Sequence, residues 1–230
     1  MLRKNIEEIL TESEQNGWGY EGMALSRNSL IHLCLRLEDQ EKVYHILELG
    51  GGQSTLFWKY LSSSGLLKIK VTTLEHDKDW ATQLSTRVED LENITVYSQT
   101  LKQITDEEWE KIFSHPQSAH LDWESYGKSV PQNQYNFFGI HNAFYAEVDQ
   151  LALEQQSFDI MILDGPHGNG RSLAYPLFCN FLKSDALLLI DDFDHYPFLE
   201  DLHKIFHYEE IHRQAVGEKR WVLVQLQGRK

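Results

Sequence analysis

An α/β fold built on a mostly parallel sheet is predicted by three features of the chain. Short apolar runs alternate with helix-length segments from residue 44 onward. Three consecutive glycines, Gly50, Gly51 and Gly52, directly follow the first of those runs. The C-terminal stretch YEEIHRQAVGEKRWVLVQLQ reads as two strands joined by a turn at Gly217, so the sheet should end in an antiparallel hairpin. A plain six-strand dinucleotide fold has no such ending.

Taken in order, residues 3–15 and about 26–40 have the spacing of two amphipathic helices. The second starts near Ser26 and carries Leu30, Ile31, Leu33, Leu35 and Leu37, and the aromatic loop NGWGYEGM separates the two. This N-terminal segment, 1–40, is expected to pack on or cover the site of a main domain at 41–230. In that domain YHILEL (44–49) predicts a strand, 53–62 a helix, KVTTLE (70–75) a strand, 77–90 a helix and ITVYS (94–98) a strand. Residues 100–150 interrupt the rhythm. They hold the acidic helix TDEEWEKIF, an aperiodic stretch, and a helix predicted through about 142–156. FDIMIL (158–163) returns to the sheet, RSLAYPLFCNFLK predicts a helix, ALLLI (186–190) a strand ending in DDFDH, and 197–206 a last helix.

Composition narrows the partners. A chain of 230 residues buries roughly 70% of its extended surface on folding and needs no disulfide staples. Its two cysteines, Cys34 and Cys179, lie in apolar surroundings and read as small buried hydrophobes. The start MLRKNIEEILTESEQ has no apolar core of a secretory signal and no run reaches membrane-spanning length, so a cytoplasmic protein is expected. With 35 acidic against 21 basic residues the net charge is -14. That balance argues against a broad nucleic-acid footprint and against attraction to anionic lipid.

The glycine run can do two jobs. Gly50 allows a sharp turn off the strand, while Gly51 or Gly52 lets a ligand approach the backbone without meeting a Cβ. The dinucleotide fingerprint wants a third glycine where Thr55 stands, so a pyrophosphate site is poorly supported. Glu75 ends the second strand, where an acid can accept hydrogen bonds from both ribose hydroxyls of an adenosine; it would serve NAD or S-adenosylmethionine equally.

Asp164 follows one later strand and Asp191 and Asp192 follow the next, so all three should converge beside the ligand crevice. Convergent carboxylates repel unless they are separated, protonated or neutralised by a cation. Magnesium would neutralise them and would stabilise an alkoxide or phenolate. His167, three residues past Asp164, ordinarily titrates near neutrality and is the general-base candidate.

ELGGGQS, a strand ending in LEHD, then FDIMILDG and LLLIDDFD together resemble the class I S-adenosylmethionine-dependent methyltransferases, over about residues 40–226. The resemblance implies a seven-stranded sheet in the order 3-2-1-4-5-7-6 with its final strand antiparallel. It also implies Glu48, Gly50, Gly51, Gly52 and Ser54 around the methionine part, Glu75 on the ribose, His76 at the adenine edge, and Asp164 beside the cofactor. Gln99 and Thr100 fall where relatives supply a further adenine contact. Metal-dependent sugar and natural-product O-methyltransferases are similar at the acidic strand ends, which would put magnesium on Asp164, Asp191 and Asp192 and the base on His167. FLKSDA replaces the glycine pair of many such relatives, and DGPHG also resembles a broader set with a DGP turn, in which a metal is not assured.

The expected activity is therefore transfer of a methyl group from S-adenosylmethionine to a hydroxyl of a small molecule or sugar, with or without magnesium. An NAD-dependent oxidoreductase and a non-catalytic scaffold on the same fold are the alternatives. Arg171 would bind an acidic substrate group or pair with Asp164 or Asp192 and hold the loop; Asp194 and His195 would orient the acceptor, serve as an alternative base, or form a solvated helix-capping loop. Trp18, Tyr20, Trp123, Tyr126, Tyr135 and Phe137 would stack on a ligand or fill the core.

Overall fold

Chain order in the computed structural model, which describes residues 2–135 and 140–230, begins with α1 (Leu2–Gln15) and α2 (Arg27–Cys34). The alternation then runs β1 (Val43–Leu49), α3 (Gln53–Ser64), β2 (Lys68–Glu75), α4 (Lys78–Val88) and β3 (Ile94–Ser98). The interrupting region holds β4 (Leu101–Gln103), α5 (Asp106–Ser114), α6 (Pro116–Asp122), β5 (Lys128–Ser129) and β6 (Ala143–Tyr145). The last part is β7 (Phe158–Leu163), α7 (Ala174–Phe178), β8 (Leu182–Asp191), α8 (Phe198–Ile205), β9 (Phe206–Gln214) and β10 (Trp221–Arg229).

The main sheet has the order β3-β2-β1-β7-β8-β10-β9. Counting only its seven strands along the chain, this is 3-2-1-4-5-7-6, as the resemblance implied. β1 pairs in parallel with both β2 and β7, β7 pairs in parallel with β8, and β10 runs antiparallel to both β8 and β9. Every residue of β7 is buried, because a central parallel strand is covered on both faces. Period-two alternation sorts β1 between two cores. Tyr44 and Ile46 join the layer with α1, α2 and α3, whereas Leu47 and Leu49 join the layer with α5 and α7. No helix among the described residues is long and apolar enough to cross a membrane.

Three expectations need correction. The segment predicted as a helix through 142–156 instead supplies β6, which pairs antiparallel with β4 in a small sheet of order β5-β4-β6, followed by one helical turn at Val148–Gln150. Its partner strand lies about forty residues away in sequence, a non-local pairing that overrides local helix preference. The helix predicted over RSLAYPLFCNFLK is a tight turn at Asn169–Leu173 continuing into α7, and β8 begins already at Leu182. α2 stops at Cys34 rather than near residue 40.

Gly170 shows how closely the two parts of the molecule approach. A Cβ at this position would lie 1.9 Å from the carbonyl oxygen of Ala143, so the turn after β7 rests backbone-to-backbone on β6. Gly170→Ala is expected to destabilise the protein by about 3 kcal/mol or to push β6 off the turn. Urea denaturation would measure it, and a wild-type midpoint with wild-type slope would mean that the approach is not tight.

Candidate functional site

The site begins where β1 and β7 end side by side. Asp164 N and Gly165 N both donate to Leu49 O, at 2.9 and 2.7 Å. Gly50 has φ +87°, and a Cβ there would sit 2.7 Å from Gly165 N, so both backbone conformation and space demand glycine. At Gly52 the position of a Cβ meets nothing within 4 Å and faces open space. Glu75 shapes this turn. Its Oε2 accepts from Gly51 N at 3.0 Å, and its Oε1 accepts from His76 N at 2.7 Å and Asp77 N at 2.8 Å.

Glu48 points the other way. Its carboxyl accepts from Thr55 Oγ1 (2.6 Å), Thr73 Oγ1 (2.8 Å) and Trp58 Nε1 (3.0 Å) in a fully buried setting, and that burial raises its pKa. The side chain fastens α3 to β1 and β2 and does not line the adjoining cavity.

That cavity, about 300 Å³, lies between the glycine turn and the N-terminal loop. Gly51, Gly52, Ser54 and Asp164 line one side, and Trp18 and Trp80 line the other. The loop is tied down by Gln53, whose Oε1 accepts from Trp18 N (2.7 Å) and Gly19 N (3.1 Å) while its Nε2 donates to Ser13 O (2.8 Å). Trp18 packs on Trp80 with ring centroids 4.3 Å apart, and Trp80 Nε1 donates to Gly51 O at 2.8 Å. Sequence reasoning missed Gln53 and Trp80. A signal for Trp80 existed, because Asp77 caps α4 by accepting from Trp80 N and so sets this residue on the first turn beside Glu75.

A second cavity, about 400 Å³, adjoins the first, and Met23 of the loop lines both. His167, Arg171, Asp192, His195, Tyr196 and Phe198 contribute to its wall. Burial, followed by the positive charge of Arg171, lowers the pKa of His167, so the imidazole is held neutral and able to accept a proton.

Arg171 is buried and bonds backbone, not carboxylate. It donates through Nη2 to Asp164 O (2.6 Å), through Nη1 to Asp191 O (2.9 Å) and through Nε to Pro166 O (3.3 Å). The guanidinium thereby sets the spacing of the β7 and β8 ends and brings the side chains of Asp164 and Asp191 together. Burial and the neighbouring Asp191 raise the Asp164 carboxyl well above the ordinary range; Asp191 is pushed up to about 7 by burial and by Asp192.

These acids do not form the metal set expected from sequence. Among the described residues no group of three or more His, Cys, Asp or Glu side chains is arranged to hold a metal ion. Asp192 departs from strand geometry with φ +49° and lines the second cavity, whereas Asp164 lines the first and Asp191 neither. Arg171 already supplies positive charge beside Asp164 and Asp191, the charge a metal ion would otherwise bring.

The remaining candidates divide between ligand side and scaffold. His76 Nδ1 lies 3.1 Å from Glu75 Oε1, and its ring faces Tyr135 at 5.6 Å between centroids. Gln99 and Thr100 anchor the interrupting region. Gln99 Oε1 accepts from Glu147 N (3.0 Å) and Thr100 Oγ1 donates to Glu147 Oε1 (2.6 Å). Tyr20, bonded to Ser13 at 2.6 Å, and Trp123, whose Nε1 donates to Tyr145 O at 2.9 Å, belong to the core; Tyr126 packs against it. Asp194 pairs with Arg220 at 3.2 Å, and Phe137 lies outside the described residues.

No protein-family model matches the chain, and no curated protein matches it in sequence. Solved structures match it in fold. The yhhF protein of Escherichia coli, assigned as a methyltransferase, superposes with a TM-score of 0.50 at 13% identity, covering 88% of this chain and 86% of that one. A SAM-dependent methyltransferase from Aquifex aeolicus gives 0.45 at 13% identity, covering 85% and 88%, and the precorrin-6y methyltransferase from Geobacter metallireducens gives 0.48 at 12%, covering 90% and 91%. With the strand order and antiparallel ending described above, the chain has a class I S-adenosylmethionine-dependent methyltransferase-like fold.

Proposed function

We propose that this protein transfers a methyl group from S-adenosylmethionine to a hydroxyl of a small molecule or sugar. The observation that carries this reading is a single turn joining two cavities: Asp164 lines one and His167, three residues later, lines the other. The first cavity, beside the glycine turn, would take the cofactor; the second would take the acceptor. Gly52 leaves room for close approach, Ser54 borders the same space, and Glu75 Oε2, which accepts a single backbone N–H, retains acceptor capacity for a ribose hydroxyl.

Bound S-adenosylmethionine would supply a methyl carbon already activated by its sulfonium. The protein's tasks are then alignment and removal of one proton. His167, held neutral, would take the proton of the acceptor hydroxyl, and the sulfonium would supply the methyl carbon and keep the electron pair of the carbon–sulfur bond on sulfur. Arg171 fixes the two strand ends that frame the cavities.

Titration calorimetry with S-adenosylmethionine and S-adenosylhomocysteine is the direct test: saturable one-to-one binding is expected, and its absence from folded protein would overturn the reading. The expected result of chelation follows from the acid geometry. Methyl transfer in the presence of excess EDTA should proceed at the untreated rate, and a loss restored by magnesium would reinstate the metal.

A further inference from the structure

The lining of the second cavity says which class of acceptor it favours. We infer that the acceptor is a small hydroxylated aromatic, neutral or positively charged, and neither an anion nor a polyol. This inference rests on the methyl-transfer reading and narrows it to a ligand class.

Shape and apolar surface come first. The cavity, about 400 Å³, has the size of a small-ligand pocket. Tyr196 and Phe198 form one wall, with ring centroids 5.6 Å apart and planes inclined at 58°, and Met23 closes the side toward the first cavity. A tilted aromatic pair accepts another ring by edge or offset stacking, and a thioether adds a favourable sulfur–ring contact.

Charge and hydrogen bonding remove the alternatives. The cation in the wall, Arg171, is engaged on three backbone carbonyls and is flanked by Asp164, Asp191 and Asp192. Arg220 lies outside the lining, where it pairs with Asp194 at 3.2 Å and contacts His195 Nε2 at 2.5 Å. A carboxylate or phosphate on the acceptor would therefore meet Asp192 with Arg171, the arginine of the described wall, already engaged on backbone, whereas an ammonium would be attracted. Among the described lining residues the side chains that can serve an acceptor's polar groups are His167, Asp192 and the Tyr196 hydroxyl, while His195 is held between Asp192 and Arg220. A pyranose would turn several hydroxyls toward Met23 and Phe198 with no partner, and each unpaired buried hydroxyl weakens binding. A single phenolic hydroxyl asks only for the base.

The test uses the full chain and four probes that share a scale. Tyramine, para-ethylphenol and para-hydroxyphenylacetate differ in the charge of one tail, and methyl glucoside represents a polyol. Calorimetry with and without S-adenosylhomocysteine should show tyramine and para-ethylphenol binding at least about tenfold more tightly than the other two, equivalent to about 1.4 kcal/mol. Asp192→Asn keeps a residue type that tolerates the positive φ of this position. It should shrink the preference for tyramine over para-hydroxyphenylacetate by about tenfold, a change in charge preference that a general loss of phenol binding would not produce. Tyr196→Ala, at a half-buried position, should weaken both phenols, which places them in this cavity.

Equal or tighter binding of the acid or the glucoside, an unaltered charge preference in Asp192→Asn, or no saturable binding of either phenol overturns the assignment. The two levels separate cleanly. Phenol binding with no methyl transfer from S-adenosylmethionine keeps the ligand class and removes the enzyme reading; methyl transfer to the glucoside in preference to the phenols does the reverse.

Discussion

His167→Ala is expected to lower the single-turnover rate of methyl transfer at neutral pH by roughly two to four orders of magnitude, the usual contribution of a positioned general base. Cofactor affinity should stay near the wild-type value, because His167 lines the second cavity and not the one beside the glycine turn. The pH profile gives an independent readout. Burial and Arg171 disfavour the imidazolium, so the folded pKa lies below the ordinary 6.5. A base must be deprotonated to act, so the rate should be high at and above neutrality and fall as pH drops through a value below 6.5. In His167→Ala that acid limb should disappear. An unchanged single-turnover rate would reassign the proton to another group in the crevice, with Asp164 and His195 the nearest choices by position.

Arg171→Ala carries the largest expected loss of stability, about 3–5 kcal/mol, as when one partner is removed from a buried charged network. Three backbone carbonyls from two segments, those of Asp164 and Pro166 after β7 and of Asp191 at the end of β8, would lose their donor together, and two adjoining carboxyl groups would lose the neighbouring cation. Lysine should recover only part of the deficit, since its ammonium has the charge but not the planar fork that spans the three oxygens. Urea denaturation of the alanine and lysine variants against wild type measures both. A loss below about 1 kcal/mol, the range of an exposed pair, would contradict the clamp.

Arg171 also marks the limit of what could be read in one dimension. As a charge three residues past Gly168 it could face a substrate anion, a carboxylate or backbone, and only the placement of the β8 end decided for backbone. The acids illustrate the same point. Asp191 and Asp192 are neighbours in sequence, and with Asp164 they look like a metal set; a left-handed φ at Asp192 sends that residue to another cavity. Glu48 looked like a cofactor contact from its place before the glycines, yet Thr55, Thr73 and Trp58 converge on its carboxyl inside the core. Gln53 lies within the glycine stretch and Trp80 on the first turn of α4, but neither position states its role. Their roles depend on the N-terminal loop folding back across the glycine turn, a contact between residues more than thirty positions apart.

The sequence by itself determined the α/β class, the parallel core and the antiparallel ending, because period and punctuation are local properties that survive in a string. The predicted bounds of the strands at 94–98 and 158–163 coincide with β3 and β7, and the acidic helix TDEEWEKIF appears as α5. Tertiary structure alone decided that residues 143–145 are a strand, that the three acids, though neighbours, do not line one cavity, and that two cavities share one loop. Each of these depends on which distant backbone a segment meets: β4 for β6, Arg171 for the ends of β7 and β8, and the glycine turn for the loop that carries Trp18 and Met23. Local preference is worth tenths of a kilocalorie per residue and is readily outweighed by such contacts.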